Sequence, residues 1–149
     1  AAFVSEPFHA PGAAAEPVFK EELVLITGPH IQSLSSLAKA GTVTLIAFAS
    51  GCSYRRLLEQ WQSEQGVGVS GVLEFASYPA IVACVAAGTG VAIVPKSVLA
   101  GLHAAKSVQA HELPAHLSFN RTHLIWHEGK ESLALRSLRQ LLASPDFAE

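Results

Sequence analysis

Two short segments place small hydroxyl and thiol groups where helices are expected to begin: Ser50-Gly51-Cys52-Ser53-Tyr54 and Ser77-Tyr78. A helix N-terminus presents unpaired backbone N–H groups and a partial positive charge, which suits a carboxylate or another small anion. Serine also leads the N-cap preference, so Ser53 and Ser77 have an ordinary use as caps. Cys52 sits where a thiol can become acidic and reactive. The plainer reading of Cys52 is a small, partly buried residue with no chemistry. Arg55 and Arg56 offer guanidinium groups to an anion, but adjacent helical positions point to different faces.

Other chemistries find less support. Of seven histidines, His123 and His127 have the spacing of a zinc-binding helix. The residues between them, Leu124-Ile125-Trp126, read as strand, and four strand residues span roughly 13 Å, too far for one ion. His103, His111 and His116 lie in loop-like sequence without ligand spacing. No metal site and no cofactor is expected. Gly66-Val67-Gly68-Val69-Ser70-Gly71 spells GxGxxG, but after an expected helix and before a strand, the reverse of the dinucleotide order. A nucleophile elbow fails as well, because Gly71 arrives one residue early. No acidic pair stands out for glycosidase chemistry.

The elements that must position these groups can be read from composition and periodicity. Of 149 residues, 50% are hydrophobic and 15% charged, enough for a sizeable core in one domain or two small lobes. The net charge is -2 with scattered basic residues, so this chain is not expected to grip DNA by itself. Two cysteines, Cys52 and Cys84, form no disulfide framework, and with no signal peptide evident the cytoplasm is expected. The chain opens on Ala1-Ala2-Phe3-Val4 inside an apolar run without Met, so it reads as part of a longer protein. The most apolar stretch, 80–94, is interrupted by Gly88 and Gly90 and falls short of the roughly 20 residues of a bilayer-spanning helix.

A short apolar run at Ala2–Val4 is followed by a loop over Pro7–Pro17 and a strand over Val18–Thr27. Leu34–Lys39 reads as a short helix or turn. Thr42–Ala49, Val72–Phe75 and Val91–Val94 read as buried strands, Gly66–Gly71 as loop. The spacing of Tyr54, Leu57, Leu58 and Trp61 predicts a helix from Ser53 to Gln65. A second helix follows Ser77, with Pro79 in its first turn, and ends near Gly88. Lys96–Gly101 predicts a short helical turn, Gln109–Leu113 and Thr122–His127 strands, and Ser132–Ala143 a closing amphipathic helix. Strands apolar on both faces, alternating with helices, predict an α/β fold with a largely parallel sheet.

Taken in order, VSEPF, EPVFKEELVLIT, TLIAFASGCSYRRLLEQW, EFASYPAIVACVAAGTGVAIVPKSVL and HLIWHEG with a final amphipathic helix resemble the effector-binding domain of LysR-type transcription regulators. IVACVAAGTGVAIVP is the most specific element, and the resemblance covers essentially the whole chain. It implies a type 2 periplasmic-binding-protein-like fold: two α/β lobes joined by crossing strands, with one lobe incomplete here. Lobe two would be 28–120. Lobe one would keep 1–27 and 121–149, and the DNA-binding helix-turn-helix would be absent.

The resemblance also implies contacts to a small-molecule effector. Ser5 and Glu6 would face the cleft from lobe one. Ser50, Gly51, Cys52, Ser53 and Tyr54 would form one turn of lobe two, Ser77 and Tyr78 the next, and Ile125 would lie on the returning strand. It implies a sensing module and not an enzyme, homo-oligomerisation, and DNA contact only through the missing N-terminal domain. With half of the cleft absent, the chain is expected to bind effector weakly or not at all, or to compensate by self-association. A solute-binding protein of the same fold would instead carry a signal peptide upstream. A Cys-dependent hydrolase would need a histidine partner for Cys52.

Overall fold

Leu23, Val24, Leu25 and Ile26 are each no more than 7% exposed, so the strand that carries them is covered on both faces. The computed structural model describes residues 1–144, so the last five residues of the 121–149 segment lie outside the described residues. In chain order its elements are β1 (Ala2–Ser5), β2 (Ala13–Thr27), α1 (Leu34–Ala40), β3 (Thr42–Ala47), α2 (Ser53–Gln65), β4 (Gly68–Glu74) and α3 (Tyr78–Ala86). They continue with β5 (Ala92–Pro95), α4 (Lys96–Ala100), a 3-10 turn (His103–Ser107), β6 (Gln109–Glu112), β7 (Phe119–His127) and α5 (Leu133–Leu142). The chain folds as two compact units: unit 1 holds Ala1–Glu21 and the described residues from Asn120 onward, and unit 2 holds Glu22–Phe119.

In unit 2, successive strand residues feed opposite cores, as the two-residue period of a strand requires. Leu23 and Leu25 pack with Leu45, Leu57, Leu58 and Trp61. Val24 and Ile26 pack with Ile46, Ile81, Val82 and Val85. The stripe of α2 therefore covers one face of the strands and α3 covers the other. Each large apolar side chain buried this way contributes roughly 1.5–3 kcal/mol. In unit 1, β1 pairs antiparallel with β7, and Leu124, Trp126 and Leu135 form a small core flanked by Val18 and Leu138. Ser132 caps α5, its hydroxyl accepting from Leu135 N–H at 3.2 Å. The α5 stripe is not wholly buried: Leu133 is 76% exposed and Leu141 52%.

Three sequence expectations are corrected. The sheet is not largely parallel: β5 and β6 both run antiparallel to β2, while β3 pairs parallel with β4 and bridges in parallel to Val91. A strand buried on both faces reads as a continuous apolar run whichever way its partners run. The Pro7–Pro17 loop is shorter than expected, since β2 begins at Ala13. The Gly66–Gly71 loop is shorter too, since β4 begins at Gly68 and a register shift at Val43/Thr44 accommodates the extra residue.

Where β2 ends, Thr27 is fully buried and its hydroxyl oxygen lies 2.9 Å from His111 Nε2 on β6. Burial lowers the His111 pKa, offset in part by a hydrogen bond to the Ile31 carbonyl. A folded-state value below the unfolded one means that the unfolded chain binds the proton more readily. This contribution to stability is complete above the ordinary histidine value of about 6.5 and is lost as pH falls from there through the lowered folded-state value. Urea titrations of the native chain should therefore show a lower midpoint at pH 5.5 than at pH 7.5. His111→Gln should flatten that dependence; an unchanged slope would remove His111 as its source.

Candidate functional site

The parallel register of β3 and β4 sets Ala47 beside Glu74, and Phe75 N–H donates to the Ala47 carbonyl at 2.9 Å. Both strands thus release their chains at the same end, one into α2 and the other into α3. This is the carboxyl edge of a parallel pair, where open α/β sheets place ligands. A cavity of about 600 Å³ opens there, within the roughly 300–1,000 Å³ of small-molecule sites. Phe48, Ala49, Ser50 and Cys52 line it from the β3 side, and Glu74, Phe75 and Ala76 from the β4 side.

Local chain geometry builds this wall. Gly51 turns the chain with φ +94°, in the left-handed region that favours glycine. Cys52, with an extended backbone, is the N-cap of α2, and its N–H donates to the Ala49 carbonyl at 3.3 Å. The expected cap at Ser53 is thus displaced by one residue: Ser53 is already helical. Ser77 does occupy the N-cap of α3, yet its hydroxyl makes no capping bond. The Ser77 carbonyl instead accepts from Ile81 N–H at 3.1 Å. Both segments therefore supply helix starts whose side chains are not consumed by capping.

Aromatic rings extend the wall. Tyr78 meets Phe48 edge-on with centroids 4.9 Å apart, and Tyr54 meets Tyr78 at 6.1 Å. Arg55 ties the edge together: Nε donates to Glu59 at 2.8 Å, and Nη1 donates to Glu74 and lies 3.5 Å from the Phe48 carbonyl oxygen. Glu59 first, and then Glu74, holds the Arg55 pKa above its ordinary value. Arg55 is therefore a tie between α2, β3 and β4 and not an open clamp for an anion.

Of the residues expected to contact an effector, Ser50 and Cys52 line the cavity, and Gly51, Ser53, Tyr54, Ser77 and Tyr78 belong to the same two turns of unit 2. Ser5, Glu6 and Ile125 belong to unit 1. There Asn120 donates to Ser5 Oγ at 3.2 Å, Glu6 pairs with His123 at 3.3 Å, and Ile125 lies opposite Ala2. Phe48, Glu74 and Phe75 were not among the residues expected to contact a ligand. The sequence signal was their place at the ends of two apolar strands that lead into the chosen turns. His123 and His127 lie on β7, a strand. Among the described residues no three His, Cys, Asp or Glu converge as a metal site, and no helix is long and apolar enough to cross a membrane.

A family model described as LysR substrate binding domain matches residues 1–144. The chain is 34% identical over 124 residues to the HTH-type transcriptional regulator GltR of Bacillus subtilis (strain 168), covering 83% of this chain and 42% of that protein. Among solved structures, the CcmR regulatory domain of Synechocystis PCC6803 in complex with 2-PG superposes with a TM-score of 0.74 at 20% identity, covering 94% of this chain and 70% of that one. The effector binding domain of QuiR in complex with shikimate gives 0.69 at 19% identity, covering 94% and 68%. The chain spans about half the length of the curated relatives it matches.

Proposed function

The chain belongs to the LysR substrate-binding domain family, and from that membership we propose that it is the effector-sensing part of a bacterial transcription regulator. Its fold is the type 2 periplasmic-binding-protein-like α/β fold of LysR regulatory domains. Unit 2 is read as one whole lobe, and unit 1 as part of the other. The effector is a small organic molecule that enters the cavity at the ends of β3 and β4. The cavity itself carries the reading, because it forms at the strand ends where Ser50 and Cys52 were expected to meet a ligand. The neighbours solved with 2-PG and shikimate support a ligand of that size.

Binding would shift the relative stability of two lobe arrangements, and a regulator oligomer would transmit that shift to DNA through a separate helix-turn-helix. Such a protein works in the cytoplasm, where its DNA lies, and catalyses nothing. Ser5, Glu6 and Ile125, in unit 1, are proposed as further effector contacts.

A panel of small organic acids and amines, titrated into isotope-labelled chain, tests the reading. The amide signals of Ser50, Cys52 and Phe75 should move. Shifts confined to surfaces away from these three would overturn it. Cys52→Ala should leave affinity within about twofold, the scale of substitutions outside specific networks, and the ligand should be recovered chemically unchanged. Turnover that disappears with the thiol would establish an enzyme instead.

A further inference from the structure

Among the described residues that line the cavity, Glu74 is the one Asp, Glu, Lys or Arg. The cation that meets it is not available to a ligand. Arg55 donates to both Glu59 and Glu74, and its side chain is 17% exposed against 52% for Glu74. One guanidinium is thus shared between two carboxylates, Glu59 and Glu74, and the one that lines the cavity is Glu74. The helix starts supply only about half an elementary charge each, and that field falls off within the first turn. In α3 the first turn also contains Pro79, which has no N–H to offer.

The remaining wall is aromatic. Phe48 and Phe75 line the cavity, and Tyr78 packs edge-on against Phe48. Aromatic faces attract ammonium groups, whereas a nearby carboxylate repels a bare anion. We infer that the ligand is an organic ammonium: a protonated amine carried on an apolar or aromatic body. The amine lies against Glu74 and the body against Phe48 and Phe75. This rests on the reading of the cavity as the effector site, and it is tested against the small organic anion expected from the helix starts. Glu74 is then the specificity-determining residue, selecting by charge, while the rings select by shape.

Benzylammonium and benzoate share a ring and differ in the sign of their charge, so they separate the possibilities. Titrated into the native chain and followed by amide shifts, benzylammonium should bind about tenfold more tightly than benzoate, as expected for a charge at partly exposed contact distance. Glu74→Gln should bring the two within about twofold of each other, whereas Glu74→Asp, which keeps the charge, should preserve the preference. Equal or tighter binding of benzoate to the native chain, or a preference that survives Glu74→Gln with the amide spectrum intact, would overturn the ammonium assignment alone. If neither probe moves Phe48, Glu74 or Phe75 at millimolar concentration, the effector-site reading fails and the ammonium assignment with it.

Discussion

Gly90→Ala is expected to remove a large share of the stability of unit 2. A Cβ at this position would land on the carbonyl oxygen of Thr44, and would lie 3.0 Å from that carbonyl carbon and 3.1 Å from Thr44 Cβ. These are atoms of a buried strand, not the far end of a flexible side chain, so β3 itself would have to move. The bonds that join the strands are adjacent: Val91 N–H donates to Thr44 O at 3.0 Å, and Ile46 N–H donates to Val91 O at 2.8 Å. Losing these bonds and the packing around them should cost about 4 kcal/mol or more, a large share of the 5–15 kcal/mol that holds a domain together. Urea unfolding followed by far-ultraviolet circular dichroism measures it. A variant of native midpoint would mean that β3 and the segment entering β5 do not approach this closely. The same substitution should disorder the cavity, because β3 leads directly into Phe48 and Ser50.

Trp61 should show a large effect that depends on what replaces it. The side chain is 1% exposed and sits among Leu37, Leu57, Leu58 and Leu117 in the core beneath α2. Trp61→Ala leaves a cavity that rigid strands cannot fill, and should cost about 3–5 kcal/mol. Trp61→Phe should cost much less, about 1.5 kcal/mol or below, because it keeps most of the apolar volume. It also removes the indole Nε1, which is buried and has no hydrogen-bond partner among the described residues; deleting an unsatisfied donor relieves a desolvation penalty. Equal losses for the two variants in the same urea experiment would show that the indole nitrogen is satisfied after all.

Some of this architecture was legible in the sequence because a single local signal decided it. The boundaries of α2 match the expected Ser53–Gln65, since a stripe at helical spacing stops at Gly66, whose left-handed conformation closes the helix. The starts of β2 and β4 were not legible. Ala13–Pro17 and the glycines of Gly68–Gly71 are residues depleted in strands, and they are extended because partner strands pair with them. Strand direction was hidden for the same reason: Leu23–Ile26 has one appearance for parallel and antiparallel neighbours. At the site, Ser50 and Cys52 could be chosen from helix-start chemistry alone. Glu74 could not, because what brings it to the cavity is the register that sets it beside Ala47, a relation between segments 27 residues apart in sequence. The Arg55 tie was hidden likewise, since Glu59 is a helical neighbour but Glu74 is a tertiary one.

Tyr54 and Tyr78 are the two tyrosines of the chain, and their rings meet 6.1 Å apart beside the cavity. Any phenol signal from this protein therefore originates at one place. Incorporation of a fluorinated tyrosine, read by fluorine magnetic resonance, becomes a reporter of that place alone. The two tryptophans divide in a complementary way, Trp61 in unit 2 and Trp126 in unit 1, where the Arg139 guanidinium lies 4.5 Å from its ring centroid. Indole emission can thus follow each unit separately once the other tryptophan is replaced by phenylalanine.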